Sequence, residues 1–503
     1  MTSPPAASDT TRLHLITDLL AELRRRGVRY CHWKSTAGLE QALAGRTDLD
    51  LLVDRRQTVE FDIAIRELGF KPFVSHPSRR FPGVEDHVGH DATSGRLVHL
   101  HVYYQLILGE QYIKNHRLPL EAAFLDGARD LDGIPVPPPE LELLVLGIRT
   151  LLKYRRADAV KDFARLGRRG GIPPDARAEL ASLREQVRDD ALEEATARNL
   201  PSMTPTLVGD LLRIVERDRR DAIAISRLRR RVVRELRPYE RFSRGEATWR
   251  YGRARLAHFG PVRGLLRGIT RSELKRKVPQ GGGLTIALVG PDGAGKSTVI
   301  EELSTWLAWR LNLRVVYMGS AQPSGRTRVL KAVARGGRLA ARFLRSAGTR
   351  RTADVLIGIR YLSDARDRMD RAHRGRSLAA QGAVVLFDRF PLEGVMIGDR
   401  TMDGPRIRTL SSAASSPRLQ SLARREEAWY ASIIPPDHII QLVVSPDVAV
   451  ARKAHRSPDA VREKSRVLLG SDLSRIAPVT RVDGEQELDE VVEAVRAAIW
   501  TLL

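Results

Sequence analysis

A single cysteine, Cys31, stands in a chain of 503 residues. It has no partner for an internal disulfide, so burial and hydrogen bonding must hold the fold, and a reducing compartment suits it. The start, MTSPPAASDTTR, lacks the charged segment followed by an apolar run that marks a secretory signal. No stretch approaches the ~20 apolar residues that would span a bilayer. The expectation is a soluble, cytoplasmic protein, at most peripheral to a membrane. No internal repeat is visible at solenoid periods. Hydrophobic residues make up 42% and charged residues 29% of the chain, which excludes a collagen, a largely disordered chain and a disulfide scaffold. The length exceeds one compact core and suggests roughly three units at about 150 residues each.

What the sequence has in excess is positive charge. Lys and Arg number 84 against 61 Asp and Glu, a net of +23. Residues 227–277 hold 17 basic and 4 acidic side chains, and residues 319–376 hold 15 and 4, so these two segments account for the whole surplus. Such blocks attract phosphate, nucleic acid or an anionic lipid surface; a solvated Arg-rich surface is the plainer reading. Within the second block, GRTRVLKAVARGGRLAARFLR mixes arginines with Val329, Leu330, Val333, Leu339, Phe343 and Leu344. That basic amphipathic pattern can lie on anionic lipid, although Gly336-Gly337 should weaken the helix.

Pattern divides the chain into four segments. Residues 1–135 read as a small α/β unit: Leu13, Ile16, Leu19, Leu20 and Leu23 share a helical face over 12–28, and short β-like runs follow at 30–33, 49–53 and 97–104. His32, His87 and His90 read as surface or loop histidines without a role. Pro137-Pro138-Pro139 then punctuates the chain, and 136–236 reads as helical. Residues 237–283 form a basic connector ending in three glycines. From Leu284 to the end, strands alternate with helices, which predicts βαβ units and a parallel sheet with helices on both faces.

Residues 290–297 read Gly290-Pro291-Asp292-Gly293-Ala294-Gly295-Lys296-Ser297, the spacing G-x-x-x-x-G-K-[ST] between a strand-like and a helix-like run. Gly293 and Gly295 permit backbone conformations that turn several N–H groups toward a phosphate, and the helix start adds the positive end of its dipole. Lys296 can reach the β- and γ-phosphates of ATP, and the Ser297 hydroxyl, next to Thr298, can ligate Mg²⁺. A second run, VVLFDRF, leads four apolar residues into Asp388, placed to partner Mg²⁺, and Arg389, whose planar fork suits an acceptor phosphate. A third, VSPDVAVARKAHR, turns from a strand into a helix carrying Arg452, Lys453 and Arg456. Mobile cations there can stabilise charge on a transferred phosphoryl group.

With these motifs, residues 284–502 resemble thymidylate kinases and, more widely, P-loop nucleoside monophosphate kinases. The resemblance implies ATP and Mg²⁺ as cofactors and Lys296, Asp388, Arg389, Arg452 and Arg456 as catalytic groups. It implies a small-molecule phosphate acceptor, dTMP or another nucleotide, contacted by Asp292, Arg389 and an arginine of YLSDARDR, Arg366 or Arg368. The acidic-Pro-Gly loop of that family is missing: Tyr317-Met318-Gly319-Ser320 stands in its place. The resemblance therefore supports an ATP-dependent kinase more firmly than thymidylate as acceptor. A kinase of nucleic-acid ends, suggested by the basic blocks, and a non-catalytic ATP-binding regulator are the alternatives.

Near the start, HWKSTAGLEQALAGRTDLDLLVD places Ser35 about a dozen residues before Asp48-Leu49-Asp50 on an apolar strand. This resembles the nucleotidyltransferase superfamily, in which two acids one residue apart face the same way and hold metal ions. A third carboxylate is expected on a neighbouring strand, yet the best candidate, LVHLHVYY, offers His99 and His101. Neutral imidazole would hold two Mg²⁺ ions poorly, so the resemblance implies a substrate-binding or catalytically altered transferase-like unit more than an active transferase; a small α/β domain whose acids cap strand ends is the plainer reading.

Overall fold

In the computed structural model, residues 1–11, 35, 111, 155–171, 217–221, 259–275, 345, 399 and 454–456 fall outside the described part of the chain. Ser35 and Arg456 are among them.

The helix expected over 12–28 forms from His14 to Arg25 and buries Ile16, Leu19, Leu20 and Leu23. Strands Tyr30–His32, Leu49–Val53 and Arg96–Tyr103 appear where apolar runs stood, and Lys71–Val74 and Val84–Asp91 join them. Within this unit the order is Tyr30–His32, Leu49–Val53, Arg96–Tyr103, Val84–Asp91, Lys71–Val74. Leu49–Val53 runs parallel to Arg96–Tyr103, and the other neighbours are antiparallel. Register sets both Asp50 and Asp86 opposite His101, one from each side. His32 and His87, read above as surface or loop residues, instead lie on strands and are buried.

After the proline run the chain becomes helical. Pro139 takes the first turn of the helix Pro139–Lys153, where its missing N–H costs nothing. Leu143, Leu144, Ile148 and Leu151 of that helix share one core with Cys31, Trp33, Leu52 and Tyr103 of the sheet and with Leu207 and Leu211 of a later helix. Segments 1–135 and 136–236 are therefore not separate bodies, and the connector adds the helix Arg244–His258 to the same unit. The chain divides into two compact units, Met1–Glu273 and Leu274–Leu503.

The second unit is built on a parallel sheet in the order Leu313–Tyr317, Val384–Asp388, Leu284–Val289, His438–Val443, Val479–Asp483. On one face Ala287, Val289, Val385, Phe387 and Ile439 pack with Ala372 and Ala379 of the 34-residue helix Ala347–Ala380 and with Leu468. Their alternating neighbours Ile286, Leu288, Val384, Leu386 and Ile440 are buried too, so both faces are covered. The segment Gly325–Leu344 is one continuous helix, and its paired glycines do not interrupt it. Gly337 is a close-packing position: a Cβ there would come within 2.7 Å of Leu356 on the following helix. No helix of the described residues is long and apolar enough to cross a membrane.

Leu386, on the strand beside the central one, is 1% exposed. Truncating it leaves a cavity between sheet and helices, so Leu386→Ala should lower the unfolding free energy of the second unit by about 2–5 kcal/mol, read as a shifted denaturant midpoint.

Candidate functional site

In an open parallel sheet, the carboxyl ends of the strands line one edge, and a crevice opens where successive crossovers leave in opposite directions. Here the chain goes from the central strand Leu284–Val289 to one side, through Leu313–Tyr317 and Val384–Asp388, and then crosses to His438–Val443. The loop after Val289 lies at that switch.

Backbone geometry dictates the glycines of this loop. Gly293 has φ +96°, and a Cβ on it would approach the Ala449 carbonyl oxygen to 2.8 Å. Gly295 takes the left-handed conformation (φ +80°) immediately before the helix Lys296–Ala308. Ser297 and Thr298 are exposed on its first turn. Lys296 is buried, and its ammonium donates to the carbonyl oxygens of Gly290 at 3.0 Å and Pro291 at 2.7 Å. Burial pulls its pKa down to about 8; Arg389 adds to the shift, while Asp292 and Asp388 oppose it.

Asp388 ends its strand in register with Leu288 of the central strand, which brings its carboxylate beside the loop. Burial raises its pKa, against the lowering effect of Arg389 and Lys296. Arg389 follows in a left-handed conformation (φ +72°), and its N–H donates to Leu288 O at 3.2 Å. Its guanidinium lies 3.6 Å from the Asp292 carboxylate, and Lys464 approaches the same oxygen to 3.9 Å. Asp292, only 8% exposed, thus sits between two cations.

These groups open into a cleft of about 410 Å³, which is also lined by Asp403, Arg406 and the loop Gly319–Ala321. The Nε atoms of Arg389 and Arg406 are buried without a hydrogen-bond partner. The lining balances three basic side chains, Arg389, Arg406 and Lys464, against three acidic ones, Asp292, Asp403 and Glu463, and its guanidinium and ammonium donors suit an oxyanion.

The loop that stands where thymidylate kinases carry acid-Pro-Gly is fastened through its carbonyls. Arg368 Nε donates to Met318 O at 3.0 Å, Arg371 to Gly319 O at 2.9 Å and Lys331 to Ser320 O at 2.7 Å. Of the two arginines weighed above, Arg368 is buried and also binds the Asp403 carbonyl and the Tyr430 hydroxyl. Arg366 is half-exposed and lies 3.9 Å from Asp370, and neither arginine lines the cleft directly. Arg452 is exposed and donates to Gly484 O at 2.7 Å. Lys464, Arg406, Asp403 and Arg371 had no motif to announce them.

In the first unit the structure does bring Asp48, Asp50, His99 and His101 together. His99 lies 2.7 Å from Asp48 through Nδ1 and 3.1 Å from Asp86 through Nε2, and His101 Nδ1 lies 3.0 Å from Asp50. A carboxylate absent from the sequence reading, Asp86, joins them from the strand Val84–Asp91 beside the histidine strand. Lys34 donates to Asp50 and, at 2.8 Å, to the Tyr103 hydroxyl. Burial works to raise the Asp50 pKa, but Lys34 and His101 overrule it and hold it well below the usual carboxylate range. For divalent metal the fit is poor, because a fixed ammonium in contact with Asp50 repels a second cation.

The parallel sheet and the G-x-x-x-x-G-K-[ST] loop at its switch point make residues 274–503 an α/β unit carrying a P-loop motif. No family model matches the chain. It is 28% identical over 232 residues to "Uncharacterized ATP-binding protein YghS" of Escherichia coli (strain K12), covering 43% of this chain and 93% of that protein. Two solved structures of deoxyadenosine kinase from M. mycoides are similar to 43% of the chain. The form with bound dATP is 16% identical, covered over 98% of its length, with a TM-score of 0.27; the form with dCMP and a flexible dCDP is 15% identical, covered over 100%, with a TM-score of 0.28.

Two outcomes follow from these charges. Lys296 titrates near pH 8 in the fold against an ordinary 10.5. Between those values the unfolded chain binds more protons, so this lysine's contribution to stability becomes more favourable as pH rises. Lys296→Met should therefore be stabilised relative to the natural chain near pH 7 and lose that advantage toward pH 10.5, as measured by denaturant unfolding across pH. Lys34→Met strands the Asp50 carboxylate and should destabilise the first unit by about 3 kcal/mol, in the same assay.

Proposed function

We propose that the second unit is an ATP- and Mg²⁺-dependent phosphotransferase that moves the γ-phosphoryl of ATP to a nucleoside monophosphate or a related phosphorylated or hydroxyl acceptor. The observation that carries this reading is the contiguity of the phosphate loop with the Asp292–Arg389–Lys464 cleft. A nucleotide's phosphates on the loop would end beside a second oxyanion-binding space.

Backbone N–H groups of 292–297 and the Lys296 ammonium bind the triphosphate tail. Arg389 and Arg406 offer donors to an acceptor's phosphate, and Asp292 accepts from an acceptor hydroxyl. Oxygen donors suit magnesium, and Ser297 and Asp388 supply them at the loop, so these two residues would hold the ion. When bound, magnesium neutralises charge on the phosphate oxygens. Arg452 stands at the end of the short helix Pro446–Ala451, whose Ala449 carbonyl touches the loop at Gly293. With the stretch through Arg456, we assign this segment the closing cations. Catalysis is then positioning and charge neutralisation.

The charged lining of the cleft beside the loop supports a kinase over a bare nucleotide-binding module; the curated relative's name, ATP-binding, supports the nucleotide alone. For the first unit we propose a nucleotidyltransferase-like domain altered from metal-dependent transfer, because Lys34 holds the carboxylate that would bind metal.

An acceptor panel of nucleoside monophosphates, nucleosides, sugar phosphates and oligonucleotide ends, assayed with labelled ATP, tests the reading. Lys296→Ala should abolish binding of a fluorescent ATP analogue. Arg389→Ala should retain that binding and lower transfer by about 10²-fold or more. ATP affinity should fall as pH rises through about 8, where Lys296 loses its proton. Transfer undiminished by both substitutions would refute the assignment, and transfer confined to polynucleotide ends would move it to the nucleic-acid class.

A further inference from the structure

The helix Gly325–Leu344 is turned inside out compared with one that covers a core. Its inward side is small: Thr327 and Ala334 are buried, and Gly337 abuts Leu356. Five of its six large apolar side chains, all but the half-buried Leu330, face away from the protein. Val329, Val333, Leu339, Phe343 and Leu344 are 63%, 46%, 54%, 85% and 66% exposed. At 100° per residue these five fall within an arc of about 140°. Phe343 is the most exposed large apolar side chain among the described residues.

Charge borders this stripe. Arg328, Arg335 and Arg342, spaced by seven, run along one edge, and Arg326 stands at the other; all four are exposed. Residues 325–353 contain nine basic side chains and no acidic one. Water is a poor partner for such an apolar face, and the arginines forbid a like-charged neighbour.

We propose that this helix docks on an anionic lipid surface. Leu339, Phe343 and Leu344 would enter the boundary between headgroups and acyl chains, while the flanking guanidinium groups meet lipid phosphates. A second copy of this chain would set two arginine borders together with no acid on either helix. A nucleic acid would satisfy the arginines and leave the apolar stripe in water. Only a charged bilayer surface answers both features at once. The loop Gly319–Ala321, which walls the cleft, leads directly into this helix and is tied to it by Lys331, so lipid docking would set the cleft beside the headgroup layer. The proposal does not depend on which acceptor the cleft takes.

Co-sedimentation of the full chain with vesicles tests it. The chain should bind phosphatidylcholine vesicles containing phosphatidylglycerol, bind pure phosphatidylcholine about tenfold more weakly or not at all, and lose binding as salt rises. The double variant Leu339→Glu/Phe343→Glu should bind the anionic vesicles at least about tenfold more weakly. Arg335→Glu/Arg342→Glu should weaken binding and flatten the salt dependence. Circular dichroism should match that of the natural chain for both variants, since all four side chains are exposed. Absence of binding to anionic vesicles, or binding unaffected by the apolar double variant, would overturn the proposal. So would a dimer, seen by light scattering, that the apolar variant dissolves, or polynucleotide binding that survives it without any vesicle binding.

Discussion

A buried ammonium group held by the carbonyls of its own loop is the point on which the second unit turns. Removing Lys296 from water is costly unless oxygen atoms replace its hydration, and Gly290 and Pro291 supply them. The loop keeps that shape because Gly293 lies against the carbonyl of Ala449, where any side chain would collide. That carbonyl belongs to the short helix after His438–Val443, so the cradle is braced from a neighbouring strand as well as by its own helix. The parallel register then delivers Asp388 and Arg389 to the same edge.

How much of this was legible in the sequence depends on how local each cause is. Strand, loop and helix at 284–308 were visible because a buried strand and a glycine turn leave marks within twenty residues. Asp388 and Arg389 were visible for the same reason. Lys464, Arg406 and Asp403 were not: Asp403 and Arg406 share one loop and Lys464 stands on the helix Pro458–Gly470, and only tertiary packing brings both segments to the cleft. The choice between Arg366 and Arg368 could not be made from spacing, since the helix that carries them is polar nearly all round. Its buried side is set by Ala365, Arg368 and Ala372 against strand ends and loops, not by an apolar stripe. Asp86 was hidden because VEDHVGHD, with three acids and two histidines, shows none of the apolar enrichment that marks a strand. Its strand forms because the hairpin to Arg96–Tyr103 pairs eight residues, His99 pairs with Asp86, and Thr93 and Ser94 donate to Asp91.

Both units place a lysine among oxygen acceptors, with opposite consequences. In the second unit the acceptors are neutral carbonyls, so the ammonium keeps most of its charge available to an anion. In the first, Asp50 neutralises Lys34 directly, and two histidines take up the remaining carboxylates. One arrangement leaves the ammonium with no carboxylate in hydrogen-bond contact; the other is already balanced within the fold. The shared core of sheet and helices around Cys31 and Leu144 then reads as the support of a settled polar network.

Arg389 has a backbone that non-glycine residues avoid, at a cost of about 1–2 kcal/mol. Glycine or asparagine would relax the chain there, and neither brings a guanidinium. Folding and chemistry thus compete for one position. A lineage selected only for heat resistance would be expected to discard this arginine early, and its persistence in a descendant would be a mark that the cleft is still in use.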